Sequence, residues 1–123
     1  NLVLKLGASG MISYYSSSKN FIEKEHFPAL STNPVDVSGA GDSLLASVAL
    51  SLCAGANLME ASVIGCLMSS CAVEELGNIP ISKQKLIHAY GPLKKTVIMP
   101  IKKTIERIYK TAGLKVTGIR RIP

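Results

Sequence analysis

The pattern of apolar and polar residues along the chain changes near residue 40. Before that point, apolar positions come in short runs. Residues 2–6 (LVLKL) and 11–15 (MISYY) flank the small residues 7–10 (GASG), which predicts two strands joined by a tight turn. Residues 21–27 (FIEKEHF) mix apolar and charged side chains on one face, a pattern typical of an edge or surface strand. The first part of the chain is therefore predicted to be β structure.

Three helices are predicted in the middle of the chain. Residues 42–54 are almost uniformly apolar or small, which predicts a deeply buried helix. Asn57, with Glu60 three residues later, resembles a capping box and begins a second helix that Gly77 ends. Ser82 is placed to cap a third, shorter helix. Strands followed by packed helices make this an α/β chain.

A boundary is predicted at Gly91-Pro92. Beyond it, Pro100 is placed to open a fourth helix, which Gly113 ends, and residues 114–122 have the pattern of a basic strand. The apolar residues of this helix share one face: Ile101, Ile105, Ile108 and Tyr109. We therefore divide the chain into a body, residues 1–91, and an extension, residues 92–123.

The charge distribution follows the same division. The chain carries a formal net charge of +6. In residues 1–91 five Lys stand against seven acids, which leaves −2, whereas in residues 92–123 nine Lys and Arg stand against Glu106 alone, which leaves +8. The basic character therefore belongs to the extension, and the body and the extension are expected to have different roles.

Composition narrows the class of protein. The hydrophobic content of 47% in 123 residues argues for one folded core rather than disorder. We see no signal peptide and no apolar run of the ~20 residues that a membrane span needs, so no membrane partner is expected. The three cysteines (Cys53, Cys66, Cys71) form no CxxC pair and are odd in number, which favours reduced thiols in a cytoplasmic protein. His26 and His88 have no metal-ligand spacing and are interpreted as ordinary polar residues.

The candidate chemistry lies in residues 36–43 (DVSGAGDS), between an extended run and the first helix. Gly39, Ala40 and Gly41 have almost no side-chain bulk, so their N–H groups can turn toward one point. The following helix adds its own free N–H groups and positive end, which together make a site for a phosphoryl group. Asp42, at the mouth of that site, could accept the proton of an attacking hydroxyl. The alternative is an ordinary helix start with no catalytic role.

These residues resemble a known family. Residues 35–42 (VDVSGAGD) are similar to the C-terminal signature D-T-x-G-A-G-D of the ribokinase-like (PfkB) carbohydrate kinases. Residues 4–11 (LKLGASGM) resemble the family's T-L-G-x-x-G strand and turn, and residues 55–61 resemble its link between two helices. Gly77 falls where the family closes its adenine-side loop. The resemblance covers about residues 1–90 and implies the C-terminal part of a truncated ribokinase-like three-layer fold.

The resemblance also implies roles for individual residues. Asp42 is the catalytic base, Gly39, Ala40 and Gly41 form the anion hole, and Asp36 and the Ser38 carbonyl are candidates for a monovalent-cation site. ATP with Mg²⁺ would be required, K⁺ is the candidate for the monovalent cation, and the acceptor would be a sugar or sugar phosphate. The remaining residues would lie on the nucleotide side: Lys5, Gly7, Gly10, Cys66 and Gly77.

The chain departs from the family pattern at three positions. Lys5 stands where the family has Thr, so it contacts phosphate or lies in solvent. Val37 replaces the Thr of the signature, and Cys66 stands where relatives often have Asn or His near adenine. Within the family, Gly10-Met11 and residues 75–77 look most like the heptose-phosphate kinase domain of bacterial ADP-heptose synthesis. Kinases of ribose, fructose, nucleosides or pseudouridine stay open.

Two functions follow, from different classes. In the first, the chain is part of a phosphotransferase that lacks the sugar-binding part, so that alone it binds nucleotide weakly and does not turn over. In the second, it is a non-catalytic kinase-like module that binds nucleic acid or another acidic partner through residues 92–123. Asp42→Asn separates the two, because it abolishes phosphate transfer in the first and leaves partner binding intact in the second. Homo-oligomerisation is left open.

Overall fold

A computed structural model describes residues 1–16, 21–77, 79–91 and 95–111. In those residues a three-stranded sheet is followed by four helices. The architecture is α/β, as the sequence predicts, and is consistent with part of a ribokinase-like fold.

The sheet is an antiparallel meander in the order β1-β2-β3. Its strands are β1 (Leu2–Lys5), β2 (Met11–Ser16) and β3 (Ile22–Phe27). A single 3₁₀ turn, Gly7–Ser9, joins the first two strands. The register places Lys5 opposite Met11, and Met11 opposite Phe27. The turn therefore lies at the same end of the sheet as the end of β3.

The helices are α1 (Ala40–Cys53), α2 (Leu58–Val73), α3 (Lys83–Ala89) and α4 (Lys95–Thr111). The capping box is confirmed: the Glu60 N–H donates to Asn57 Oδ1 at 2.8 Å, and the Asn57 N–H donates to Glu60 Oε2 at 3.2 Å. Ser82 caps α3 by accepting the Lys85 N–H at 3.1 Å. Both helix starts were predictable because each depends on residues three positions apart.

The body packs α1 and α2 against the sheet. The buried residues of this contact are mainly aliphatic and small: Met11, Leu44, Val48, Ala56, Ala61 and Cys66. One polar link crosses the contact, where Ser13 Oγ of β2 and Ser62 Oγ of α2 lie 2.7 Å apart and buried. One hydroxyl donates to the other, so each buried oxygen has a partner and the bond links α2 to the sheet.

The described part of the extension packs on the body. Ile101 and Ile105 of α4 are each 1% exposed, and they share a cluster with Ile64, Leu86 and Tyr90. Packing of this apolar face supplies stability, because most of the stability of a helix in a protein comes from the packing of such a face rather than from the helix alone. The exposed face of α4 carries the charged residues Lys102, Lys103, Glu106, Arg107 and Lys110. The shared apolar face that the sequence predicts is thus present at Ile101 and Ile105.

Three predictions about the helices are wrong. The α2 helix ends at Val73, so Gly77, four residues later, does not end it. The α1 helix is not deeply buried, because Leu45 and Leu50 are 64% and 48% exposed. Its other side packs on α2, with a smaller contact to α4. An all-apolar sequence therefore does not mean that a helix is buried on every side within this chain. Pro100 does not open α4, which already begins at Lys95. The apolar face favours a longer helix although a proline inside it removes one hydrogen bond. Gly113 and residues 114–122 lie outside the described residues.

No helix in the described part of the chain is long and apolar enough to span a bilayer.

Gly65 marks a close approach of α1 and α2. A Cβ built on Gly65 would lie 2.7 Å from Cγ2 of Val48 and 3.4 Å from Cγ of Leu44. Val48 is buried and β-branched, so its methyl group cannot easily move aside. We expect Gly65→Ala to lower the free energy of unfolding by about 1–3 kcal/mol, measured by urea denaturation. Adding Val48→Ala should relieve the clash, so that the double variant loses less than the two single losses combined; additive losses would contradict the contact.

Candidate functional site

The site is built at the start of α1. Gly39 precedes the helix in the left-handed region, with φ 74°, and no side chain caps the helix. The first bond of the helix ladder runs from the Ser43 N–H to the Gly39 carbonyl at 2.9 Å. The N–H groups of Gly41 and Asp42 consequently have no acceptor inside the helix. This end of α1 therefore presents amide donors and a positive dipole end without a side chain covering them.

Ala40 differs from its neighbours in the predicted anion hole. Its N–H is directed to the Val37 carbonyl at 3.4 Å, a long contact that closes a turn within the loop. An anion at this helix end would therefore rest mainly on the amides of Gly41 and Asp42. The Gly39 amide stays a prediction.

Asp36 holds the signature loop in place. Its Oδ1 accepts the Ser38 N–H at 2.9 Å, and its Oδ2 accepts the Gly77 N–H at 3.1 Å. The N–H groups of Val35 and Asp36 both donate to the Val73 carbonyl, at 2.6 and 3.1 Å. The loop before α1 is thus tied to the end of α2 and to the segment after it. This gives Asp36 and Gly77 an architectural role that sequence reasoning missed.

These bonds make the stability of the loop depend on pH. Donation from Ser38, and then from Gly77, holds the pKa of Asp36 below its ordinary value of 3.8. A lowered folded-state pKa means that the contribution is fully present above the ordinary pKa and is lost as the pH falls through the lower folded value. We expect acid unfolding to show this loss, and Asp36→Asn to remove it, when the free energy of unfolding is measured between pH 5 and pH 2. If the free energy of unfolding of Asp36→Asn fell between pH 5 and pH 2 as much as that of the unaltered chain, this role would be contradicted.

Lys85 fixes the segment that carries Gly77. Its Nζ donates to Glu75 Oε1 at 2.5 Å and to the Cys71 carbonyl at 3.1 Å. The hydrogen bond with Glu75 is the main reason that the pKa of Lys85 is raised. A side chain of α3 thus satisfies a carbonyl in the last turn of α2. Residues 75–77, which resemble the heptose-phosphate branch, are held by this bridge at one end and by Asp36 at the other.

The turn between β1 and β2 packs tightly at Gly10. Gly10 has φ 88°, and a Cβ built on it would lie 1.9 Å from the Phe27 carbonyl oxygen and 2.7 Å from the Ala29 nitrogen. Gly7 has φ 57°, and a Cβ there would meet nothing within 4 Å. Gly10 is therefore required by the backbone packed against it, whereas Gly7 faces open space beside the site.

His26 supports the same turn. Its Nε2 lies 2.8 Å from the Ser9 carbonyl oxygen, and since a carbonyl only accepts, this nitrogen carries the proton. The interpretation of His26 as an ordinary surface residue missed this contact. Pairing β2 with β3 sets His26 opposite Ile12, close to the turn that precedes β2. That register was the signal that could have placed His26 near the turn.

Two cavities flank the start of α1. The first, here called the strand-side cavity, has a volume of about 750 Å³ and lies between the β1–β2 turn, α1 and α2. It brings together six of the predicted site residues: Lys5, Gly7, Gly10, Ala40, Gly41 and Cys66. Ser31 also lines it, and Ser31 Oγ is buried with no hydrogen-bond partner among the described residues. A polar atom in that state is open to a ligand.

The second cavity, here called the helix-side cavity, has a volume of about 580 Å³ and lies on the other side of α1. Asp42, Gly39, Ser38 and Gly77 line it. Most of its remaining lining is apolar: Ala46, Leu50, Ile64, Met68, Ala72, Ile79, Pro80, Ile81, Leu86, Ile105 and Ile108. The structure therefore does not bring Gly77 into the cavity that holds the other predicted nucleotide-side residues.

The Lys5 side chain reaches α1. A Cβ built on Gly41 would lie 2.7 Å from Lys5 Nζ, so the ammonium group lies against the start of the helix. Lys5 is exposed and makes no hydrogen bond or ion pair within the described residues. The side chain is thus exposed to solvent and also lies beside the candidate phosphate site, so contact with phosphate stays a prediction.

Cys66 is part of the cavity wall. It is 7% exposed and packs with Leu44 and Met11, and burial raises the pKa of its thiol to about 11. The thiol is therefore neutral near pH 7 and offers an apolar surface rather than a nucleophile. Within the described residues, no three His, Cys, Asp or Glu side chains come together as a metal site.

Comparison with known proteins shows that the chain is similar to other proteins over the residues that build this site. The family model described as "pfkB family carbohydrate kinase" matches residues 1–85, more than half of the chain. Similar curated proteins include the bifunctional protein HldE of Pelobacter propionicus, 36% identical over 64 residues, and those of Shewanella sp. strain W3-18-1 and Shewanella baltica strain OS155, each 38% identical over 64 residues. Each alignment covers 52% of this chain and 13% of the relative, so the chain corresponds to a small part of those proteins.

Proposed function

Because the chain belongs to the pfkB family of carbohydrate kinases, we propose that it carries the nucleotide side and the catalytic base of an ATP-dependent phosphotransferase. The observation that carries this proposal is the position of the α1 start between two cavities. Gly41 and Lys5 line one of them and Asp42 lines the other. A phosphoryl group held at the helix end would have its donor on one side and its acceptor on the other.

The donor belongs in the strand-side cavity. The uncapped helix end there offers amide N–H groups and a positive dipole end, which favour phosphate oxygens. Gly7 leaves the backbone of the turn open to a ligand, and Cys66 supplies an apolar wall suited to a base. Lys5, Gly7, Gly10 and Cys66 are therefore our proposed nucleotide-side residues. We include Gly77 only through its bond to Asp36, which holds the loop.

The acceptor belongs in the helix-side cavity with Asp42. The acceptor oxygen forms a bond to the γ-phosphorus while the bond from that phosphorus to the bridging oxygen breaks, and the electron pair leaves on ADP. The hydroxyl proton passes to Asp42, which then releases it to water. Because this transfer depends mainly on positioning and charge stabilisation, a carboxylate at a helix start is basic enough for the role. Gly39, Ala40 and Gly41 remain our proposed anion hole, with Ala40 the least available.

Magnesium would arrive with the nucleotide. Mg²⁺ is commonly held by substrate phosphates and one or two carboxylates rather than by a protein cage, so here it would rest mainly on the phosphates of the bound nucleotide. When bound, it neutralises charge on the transferred phosphate. We also propose a monovalent cation, K⁺, at Asp36 and the Ser38 carbonyl, because each Asp36 oxygen keeps a lone pair after accepting one N–H.

The acceptor is proposed to be a sugar or sugar phosphate, with heptose phosphate as the first candidate to test. Residues 10–11 and 75–77 resemble that branch, and the similar relatives named HldE align over half of the chain. The polar residues of the helix-side cavity are few, and its walls are mainly apolar. Sugar recognition would therefore come from residues beyond this chain.

The corresponding experiment compares phosphate transfer in two proteins. Residues 1–123 alone should bind ATP weakly and transfer no phosphate, because the chain offers few polar contacts to a sugar. A chimaera in which residues 1–85 replace the matching segment of the Pelobacter propionicus relative should transfer γ-phosphate from labelled ATP to one of a panel of sugars and sugar phosphates. Robust transfer by residues 1–123 alone would contradict the proposed lack of a sugar site. A folded chimaera that shows no transfer would contradict the proposed function.

One observation favours a second candidate, a module that binds nucleic acid or another acidic partner. Four cations on the exposed side of α4, Lys102, Lys103, Arg107 and Lys110, stand against Glu106. Such a stripe can neutralise phosphates, with a steep dependence on salt. Salt-dependent retention of RNA or DNA that is lost on deleting residues 92–123 would support it. The division at residue 92, and a cytoplasmic location consistent with the free cysteines, stay proposals.

A further inference from the structure

The charge balance of the strand-side cavity is one-sided. Lys5 is the one charged residue in its lining, and no Asp or Glu of the described chain lines it. The Lys5 ammonium lies against Gly41 at the positive end of α1, where a cation is unfavourable. An ammonium group at such a helix end, with no ion pair, is stabilised when an anion lies between the ammonium group and the helix end.

The geometry points to Lys5 as the residue that selects a polyphosphate donor and neutralises charge on its phosphates during transfer. This inference rests on the proposed function. Lys5 ends β1, and it is held beside the turn whose Leu6 N–H donates to the Gly10 carbonyl at 2.8 Å. The ammonium and the free amides of Gly41 and Asp42 would approach the same phosphate from two directions.

The chemistry of a lysine here differs from that of the threonine common in the family. A hydroxyl can donate one neutral hydrogen bond, whereas an ammonium donates up to three and carries a full charge. As the bond between the γ-phosphorus and the bridging oxygen breaks, negative charge grows on the departing diphosphate. A fixed cation beside the helix end stabilises that charge most strongly when transfer is under way. Lys5 should thus favour ATP over adenosine in binding and raise the rate of transfer.

The test uses residues 1–123 as they stand. The dissociation constants of ATP with Mg²⁺ and of adenosine are measured by calorimetry at low and high salt for the unaltered chain, Lys5→Met, Lys5→Arg and the control Lys24→Met. Lys24 lies on β3, exposed and outside the cavity lining. We expect Lys5→Met to weaken ATP binding about tenfold or more, the range for a hydrogen bond to a charged group. Adenosine binding should stay unchanged, the salt dependence should shrink, and Lys5→Arg should restore most of the ATP affinity.

The outcomes separate this inference from the proposed function. If the unaltered chain binds neither ATP nor adenosine, the proposed nucleotide site fails and the inference fails with it. If the unaltered chain binds ATP and Lys5→Met binds it equally well, the inference alone is overturned. Equal weakening of ATP and adenosine would show a structural effect and would also overturn it. In the chimaera, Lys5→Met should lower kcat about tenfold or more with a smaller change in KM for the acceptor.

Discussion

Asp42→Asn is expected to nearly abolish phosphate transfer in the chimaera that carries residues 1–85. Asparagine has nearly the same shape but cannot take a proton from the acceptor hydroxyl. General bases contribute about 10²- to 10⁴-fold, so kcat should fall by that factor. The helix start keeps its amides in the variant, so ATP binding should be retained. The measurement is transfer of labelled γ-phosphate together with the ATP dissociation constant.

The matched control for this experiment is Glu74→Gln. Glu74 is an exposed carboxylate just after α2, and it lines neither cavity. Removing its charge should leave kcat within about twofold of the unaltered chimaera, because substitutions on the surface, away from the core and the site, have small effects. Full activity in Asp42→Asn, or an equal loss in both variants, would remove Asp42 from the role of base.

Gly10→Ala is expected to have the largest effect on folding. The new Cβ would lie 1.9 Å from the Phe27 carbonyl oxygen and 2.7 Å from backbone atoms of Pro28 and Ala29, and backbone atoms cannot turn aside as a flexible side chain can. Overpacking costs about 1–3 kcal/mol and an L-residue with positive φ about 1–2 kcal/mol more, so we expect a total loss of ~3 kcal/mol or more. Chemical denaturation followed by circular dichroism measures this loss.

Gly7→Ala is the control in the same turn. Gly7 also has positive φ, but its Cβ would meet open space, so only the conformational cost of about 1–2 kcal/mol applies. The difference between the two variants therefore isolates the packing of the turn on residues 27–29. Similar losses in both would show that the turn does not pack as described.

Local features of this fold were predictable from the sequence. The Asn57–Glu60 box and the Ser82 cap each involve partners three residues apart, and the structure confirms both. The strands before residue 28 were predictable because short apolar runs flank small turn residues. In these cases the physical cause lies within one turn or one hairpin.

Features that depend on distant partners could not be predicted. The apolar sequence of α1 gave no sign that Leu45 and Leu50 would face outward, because exposure depends on which elements are present to cover them. Pro100 was taken for a helix start, yet packing of the Ile101 and Ile105 face extends α4 back to Lys95. In both cases tertiary contacts outweigh local preference.

The candidate site was predicted in part. The family resemblance marked Gly41 and Asp42, but the sequence could not place them on opposite sides of α1, since that depends on the pitch of the helix and on what packs around it. The Ala40 amide bond to Val37 and the Lys5 position beside Gly41 likewise arise from the folded loop.

The central claim is that the start of α1 binds the phosphates of a nucleotide, and amide chemical shifts test it most directly. In ¹⁵N-labelled residues 1–123, titration with ATP and Mg²⁺ should move the amide signals of Gly39, Gly41 and Asp42. Adenosine should move signals near Cys66 and leave those three in place, because it has no phosphate. Shifts at the α1 start that are the same for ATP and adenosine, or ATP-induced shifts confined to other parts of the chain, would contradict the account.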